Sequence, residues 1–336
     1  MEIKDILSKL VDKSDLTYDE AYFMLDKIMK AEIEPAQAAA YLTSLRMKGE
    51  TVEEIAASAK AMRDNGVNLK NCESAIDIVG TGGDKSSSIN ISSISSFVVA
   101  ASGIKVAKHG NRAVSSKCGA ADLFEALGVN IKTDVNKAKE IYDKTNIIFL
   151  FAQIYHQAMK NVAPIRKSFG FRTVFNILGP LTNPAHTDKI LLGSYSKELL
   201  PFIAEVAKTV GIKNALIVHG EDGLDEVTLT GKTYVAELRN GFITQFEFDP
   251  RAYGFDYCTK EDLVGGSPEE NKEIALKILN NEDSKRKDAV LLNAGLAIYV
   301  ATDGISIQKG IDIARETLAS KKALDVLNEY IRLSNE

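Results

Sequence analysis

Hydrophobic periodicity changes character once along this chain, near residue 70, and that change constrains the fold more than any other feature. Up to residue 66 the apolar repeats have the helical period. Ile3, Ile6, Leu7, Leu10 and Val11 fall on one helical face. Thr17 and Glu20 form a capping box, after which Ala21, Met24, Leu25, Ile28 and Met29 repeat the same spacing. Pro35 suits the first turn of a third helix that runs through Leu45. Thr51 and Glu54 cap a fourth, which ends near Gly66.

From residue 75, short β-type runs alternate with helical ones. AIDIVG, KVAKHG, VNIKT, NIIFLFA, KILLGSY and ALIVHG read as strands; ISSISSFVVAAS, CGAADLFEALG, NKAKEIYDK and ELLPFIAEVAKTVG read as helices. IRKSFGFRTVFNILGPL reads as a helix stopped by Gly179 and Pro180, and VTLTGKTYVAEL as strand, turn and strand. The tail from Ser267 holds several long helices, among them the all-round apolar LLNAGLAIYVA. Strands separated by helices predict an α/β fold with a central, largely parallel sheet, behind a small all-helical domain.

Composition narrows the function. The chain has 336 residues, enough for two domains, and its 45% hydrophobic and 26% charged residues exclude intrinsic disorder. A net charge of −5 argues against nucleic acid as a partner, since that role needs a cationic field. No apolar run approaches the ~20 residues of a membrane span. The start, MEIKDILSKLVDK, is charged throughout and lacks the apolar stretch of a secretory signal. Cys72, Cys118 and Cys258 are odd in number and form no C-x-x-C pair, which argues against disulfides or structural zinc and for the reducing cytoplasm. His109, His156, His186 and His219 show no H-E-x-x-H spacing.

Four segments carry chemistry. In residues 78–93, a strand runs into Gly80-Thr81-Gly82-Gly83-Asp84, and a hydroxyl-rich stretch then opens a helix. Glycines let a backbone approach an anion closely, and a helix start adds N–H donors and a favourable dipole. Ser86, Ser87, Ser88, Asn90, Ser92 and Ser93 add groups able to bond phosphate or ligate a metal. The pattern is a phosphate loop, though neither a Walker loop nor G-x-G-x-x-G. In residues 106–122, Lys108, Arg112 and Lys117 surround His109, Asn111, Ser115 and Ser116, a cationic loop suited to a pyrophosphate. Between residues 156 and 166, His156, Met159 and Arg166 are spaced to meet across a helix and its following turn, where the arginine pairs with a substrate carboxylate or with a surface acid. Asp225-Glu226 is an acidic pair on a loop before a strand, either solvated or holding Mg²⁺, a cation that favours oxygen ligands.

Taken together, GTGGD…NIS, KHGNRAVSSKCG, FLFAQIYHQAMKNVAPIRK, RTVFNILGPLTNPA and GLDEV resemble the anthranilate phosphoribosyltransferases, in the family's order and with the helical start and tail also fitting. The resemblance implies transfer of a phosphoribosyl group from phosphoribosyl pyrophosphate (PRPP) to the amine of anthranilate, the second step from chorismate to tryptophan. It implies a nucleoside phosphorylase-like architecture: a helical domain over about 1–70, joined by helices from about 160–185 and hinged to an α/β domain over 71–336, with homodimerisation through the helical domain. PRPP would be held by Gly80, Thr81, Gly82, Gly83, Asp84, Ser88, Asn90, Ile91, Ser92 and Ser93, and by Lys108, His109, Gly110, Asn111, Arg112, Ala113, Val114, Ser115, Ser116 and Ala120. Gly80, Asn111, His156 and Arg166 would meet anthranilate, with His109 and His156 lining its path. Ser92, Asp225 and Glu226 would serve two Mg²⁺ ions, and Lys108 would stabilise the leaving pyrophosphate. No residue stands out as a general base, and a neutral aryl amine needs none.

Three positions depart from the family pattern: Lys85 stands where glycine is common, Ser88 where threonine is, and Ala120 where serine is. They bear on contacts to PRPP rather than on the reaction. Two alternatives share the scaffold. A pyrimidine nucleoside phosphorylase would carry a KHSTGG-type loop, in whose place IVGTGGD stands. A non-catalytic nucleic-acid-binding relative fits poorly with the net charge and the retained acidic pair.

Overall fold

A computed structural model of the chain describes residues 1–72, 74–83, 86–113 and 117–336. Four helices come first: α1 (Ile3–Val11), α2 (Tyr18–Met29), α3 (Pro35–Lys48) and α4 (Val52–Asp64). Both predicted capping boxes form, and Pro35 opens α3. Glu54 does more than cap α4. Fully buried, it also accepts the Leu16 N–H (2.9 Å) and meets Lys48 Nζ at 3.0 Å, so its charge is paired inside the bundle. The apolar stripe of α1 is narrower than expected: Ile6 and Leu10 are buried, while Val11 is 72% exposed.

The rest of the chain runs β1 (Ile76–Gly80), α5 (Ile91–Ala101), β2 (Val106–Gly110), α6 (Ala120–Ala126), α7 (Val135–Thr145), β3 (Ile147–Phe151), α8 (Ala152–Tyr155), α9 (Met159–Phe169), α10 (Phe175–Leu181), β4 (Lys189–Gly193), α11 (Leu200–Thr209), β5 (Asn214–Gly220), β6 (Thr233–Arg239) and β7 (Phe242–Phe248). Four helices close it: α12 (Pro268–Leu279), α13 (Lys285–Ala301), α14 (Ile307–Ala319) and α15 (Lys322–Asn335). The seven strands form one sheet in the order β3-β2-β1-β4-β5-β6-β7, parallel from β3 to β5 and antiparallel beyond.

Both faces of the sheet are covered. Leu191, Leu216, Val218 and Val235 face one core with α5 and α12–α15, while Ile190, Leu192, Ala215, Ile217 and Ala236 face a second. That second core also contains Met24, Leu25, Leu42 and Ile55 of the first four helices, together with Val162, Phe175 and Leu178. The N-terminal bundle therefore shares its apolar interior with α9, α10, α11 and one sheet face. Arg63 reinforces the junction, donating to Val210 O (3.1 Å) and Leu181 O (2.7 Å) at the C-terminal ends of α11 and α10.

Three sequence expectations change. VNIKT is not a strand: Val129 and Ile131 are buried, but the segment joins no ladder among the described residues, its Asn130 N–H held by Ser334 Oγ. VTLT forms no ladder either. Val227 N and Thr228 N bond to the side chains of Asn293 and Thr233, and β6 pairs instead with β7 across Asn240-Gly241, both at positive φ. The expected single helix through 165–181 is broken at Gly170 (φ +68), and Gly179 and Pro180 lie inside the last turn of α10.

Candidate active site

Strand order places the site. From β1 the chain moves to β2 and β3 on one side, then returns to lay β4 and β5 on the other, so a crevice opens beyond the carboxyl ends of β1 and β4. There, β1 ends in Gly80, β4 in Gly193 and β2 in Gly110. A Cβ on Gly193 would overlap the carbonyl of Asp225, and one on Gly80 would overlap the Asp225 carboxylate. Glycine at both strand ends is what lets the loop after β5 cross the crevice. Asp225, only 8% exposed, then accepts the Gly82 N–H at 2.7 Å, and Glu226 accepts the Ser92 N–H at 3.1 Å. Thr81 N bonds Gly193 O at 2.8 Å, and Gly82 and Gly83 take φ of +72° and +77°, which glycine alone adopts freely. The acidic pair, the glycine turn and the first turn of α5 thus meet at one point.

Lys108 lies beneath this point rather than in it. It is fully buried, donates to Ile78 O, and reaches Ser92 Oγ at 3.2 Å. Burial lowers its pKa, against the attraction of Asp77, Glu226 and Asp225. Asp77 is buried beside it and accepts from Asn183 Nδ2 (2.7 Å) and His109 N (3.2 Å); burial raises its carboxyl to about 6. Its ammonium links β1 to the start of α5 through Ile78 O and Ser92 Oγ.

Across the crevice, His109 Nδ1 donates to Gly179 O (3.1 Å) and His156 Nε2 to Thr182 O (2.9 Å), which fixes both tautomers. The rings lie 5.1 Å apart, and the remaining nitrogens, His109 Nε2 and His156 Nδ1, are buried without a hydrogen-bond partner among the described residues. Burial lowers His109 to about 3 and His156 to about 4, so both are neutral at pH 7. A folded-state pKa below the unfolded value means that protons bind the unfolded chain better. Stability should thus fall between pH 6.5 and 4, by up to ~3 kcal/mol for His156 alone, with Asp77 opposing part of the effect. Melting temperature against pH should flatten in His156→Asn; parallel profiles for the two proteins would refute this.

Arg166 is half-buried on α9, its guanidinium carbon 5.3 Å from the Phe175 ring centroid, with no hydrogen bond or ion pair among the described residues. Burial lowers its pKa. His156 lies between α8 and α9 and bonds Thr182, while Met159 and Arg166 share α9, Met159 packed against the bundle core and Arg166 over Phe175. Asn111 is exposed, its Oδ1 accepting the Arg112 N–H. Arg112 is engaged by Asp122 and Glu125 and lies over Phe151, so its charge is already met by α6.

The remaining predicted residues frame the turn. Asn90 joins Cys118 O (3.0 Å) to Asn271 (2.9 Å), and Ile91 and Ser93 are buried at the start of α5. Ser88 bridges Val264 and, with Ser86, Asp222 and Lys260, lines a cleft of about 150 Å³. Gly110 and Ala120 face each other closely, a Cβ on Gly110 falling 3.2 Å from that of Ala120. Ala113 N bonds Asp122. Asp84, Lys85, Val114, Ser115 and Ser116 lie outside the described residues. Sequence reasoning missed Asp77, Asn183, Arg172 and Tyr195; only Arg172, in the FRTVFN run after Gly170, carried a local signal, a cation following a break. Ser92, Asp225 and Glu226 form a hard-oxygen donor set suited to Mg²⁺, and the crowding of Asp225 against two glycines holds it in place.

Comparison with known proteins places the fold in a family. A model of the glycosyl transferase family α/β domain matches residues 72–324, and one of that family's helical bundle domain matches residues 4–66. The anthranilate phosphoribosyltransferase of Methanobrevibacter smithii is 51% identical over 99% of both chains. Among solved structures, the anthranilate phosphoribosyltransferase of Thermus thermophilus superposes with a TM-score of 0.94 at 41% identity, covering 99% of this chain and 100% of that one. The Saccharomyces cerevisiae enzyme in complex with PRPP and Mg gives a TM-score of 0.88 at 29% identity, covering 99% and 98%. Because the two family models fall on the two halves of the observed fold and the relatives cover it end to end, the chain belongs to the anthranilate phosphoribosyltransferase family.

Proposed function

We propose that this protein transfers the phosphoribosyl group of PRPP to the amine of anthranilate, releasing pyrophosphate. The observation that carries the reading is the meeting of Asp225 with the Gly82 N–H and of Glu226 with the Ser92 N–H, which brings an acidic pair, a glycine turn and a helix start to the switch point of a parallel sheet. PRPP lies on the turn from Gly80 and the first turn of α5. Mg²⁺, as two ions, is held by Ser92, Asp225 and Glu226, and when bound it neutralises charge building on the pyrophosphate oxygens. Arg166 and Asn111 take the carboxylate of anthranilate, with the neutral His109 and His156 behind it.

The chemistry asks little of a base. The aryl amine attacks the anomeric carbon as the bond to pyrophosphate breaks, and the nitrogen then sheds a proton. Positioning and N–H donors aimed at the departing oxygens supply the acceleration. Lys108 contributes from beneath, fixing Ser92 and β1. The decisive assay follows loss of anthranilate fluorescence with and without PRPP and Mg²⁺. A folded protein that consumes no anthranilate in a PRPP-dependent way refutes the reading.

The boundary between helical and α/β domains falls near residue 70, with α9 and α10 allied to the former, and the protein works in the cytoplasm; among the described residues no helix is long and apolar enough to cross a membrane. It forms a homodimer through the N-terminal helices, where Val11 and Met47 stand exposed. A monomeric mass by light scattering at micromolar concentration overturns that assembly.

A further inference from the structure

Arg172 sits on the short link between α9 and α10, and none of the acids among the described residues pairs with it. Its one described hydrogen bond runs from Nη2 to the carbonyl of Gly83, at 2.8 Å. Its guanidinium carbon lies 3.7 Å from the centroid of the Tyr195 ring, within stacking distance of the ring face. Tyr195 follows the end of β4, and its own N–H donates to Thr81 Oγ1 at 3.1 Å. The turn is thus gripped along its length: Thr81 by Gly193 and Tyr195, Gly82 by Asp225, and Gly83 by Arg172.

Two successive glycines make this grip necessary. At φ of +72° and +77° they adopt a backbone that is one of several open to glycine, so the turn has no preference of its own for this shape. Gly83 also keeps the approach open, since a Cβ there would stand 3.2 Å from Arg172 Nη2. A planar guanidinium held against an aromatic face is pre-oriented to donate to one carbonyl, which a flexible ammonium is not. The same link joins α9, which carries Arg166, to α10, which carries Phe175.

We propose that Arg172, seated on Tyr195, is a positioning residue that locks the glycine turn in the conformation that binds the phosphoribosyl donor. The inference rests on the reading that this turn holds PRPP. Arg172 does not touch the reacting atoms; it sets the shape of the loop that does, and its loss frees the turn to sample other conformations before binding.

The test combines calorimetric binding of PRPP in Mg²⁺ with steady-state kinetics in which each substrate is varied. Arg172→Ala should raise both Kd and KM for PRPP by about tenfold or more, the scale of one charge-assisted hydrogen bond, with KM for anthranilate within twofold of wild type. Arg172→Lys, which can reach the carbonyl but cannot lie flat on the ring, should recover part of that loss. Tyr195→Leu, which keeps the backbone bond to Thr81, should weaken PRPP binding in the same direction with melting unchanged. Equal PRPP affinity in wild type and Arg172→Ala overturns the lock and leaves the functional reading standing, as does a rise confined to KM for anthranilate. Absence of PRPP binding in wild type overturns both.

Discussion

Asp225→Asn combined with Glu226→Gln is expected to raise the Mg²⁺ concentration needed for half-maximal turnover by roughly 10²- to 10⁴-fold, since two charge-assisted contacts are worth about 1.5–3 kcal/mol each. The fold should survive. Asp225 accepts the Gly82 N–H and Glu226 the Ser92 N–H. An amide oxygen can accept the same bonds, so the loop keeps its place while both anionic charges vanish. Asp225→Ala is the instructive contrast, because it removes a nearly buried side chain that anchors the Gly82 N–H and leaves its place empty. It should lower the melting temperature by several degrees where the amide variant does not. A Mg²⁺ titration of the double variant that superposes on wild type would remove Asp225 and Glu226 from the metal site.

Arg166→Ala should raise KM for anthranilate by roughly 30- to 1,000-fold with KM for PRPP almost unchanged, the consequence of losing about 2–4 kcal/mol from a partly desolvated charge-assisted pair. Arg166 is half-buried against Phe175 and meets no carboxylate among the described residues. Burial already lowers its pKa, so a carboxylate arriving beside it relieves a desolvated charge. The pair exists in ground and transition states alike, and for that reason the loss should fall on KM rather than kcat. Arg166→Lys should recover only part, because an ammonium lacks the planar fork that matches a carboxylate and the flat face that rests on Phe175. If KM for PRPP rises while that for anthranilate does not, the acceptor pocket lies elsewhere.

Local signals proved sufficient wherever a structure is closed by neighbours in sequence. The capping boxes at Thr17 and Thr51 satisfy N–H groups three residues away, so their chemistry is complete within one turn. The glycine turn is legible for the same reason, and so is the alternation that predicts a parallel sheet. The Asn240-Gly241 hairpin was equally local, yet the β-branched run VTLT drew the strand to the wrong side of the turn. VNIKT misled because a buried extended segment and a strand share one pattern, and only a neighbour to pair with separates them.

The sequence by itself determined most of the secondary elements, the α/β class and the residue types of the site; tertiary structure decided which of those residues face the crevice. Lys108 shows why. It stands in the middle of a central strand covered on both faces, where apolar alternation no longer marks a solvent side. Whether its ammonium meets a ligand or the Ile78 carbonyl depends on which strand lies beside β2, and strand order is set by the packing of whole layers. The same holds for Gly193 and Asp225, which stand far apart in the chain. Their close approach follows from β4 and β5 being neighbours, and nothing within either segment encodes it.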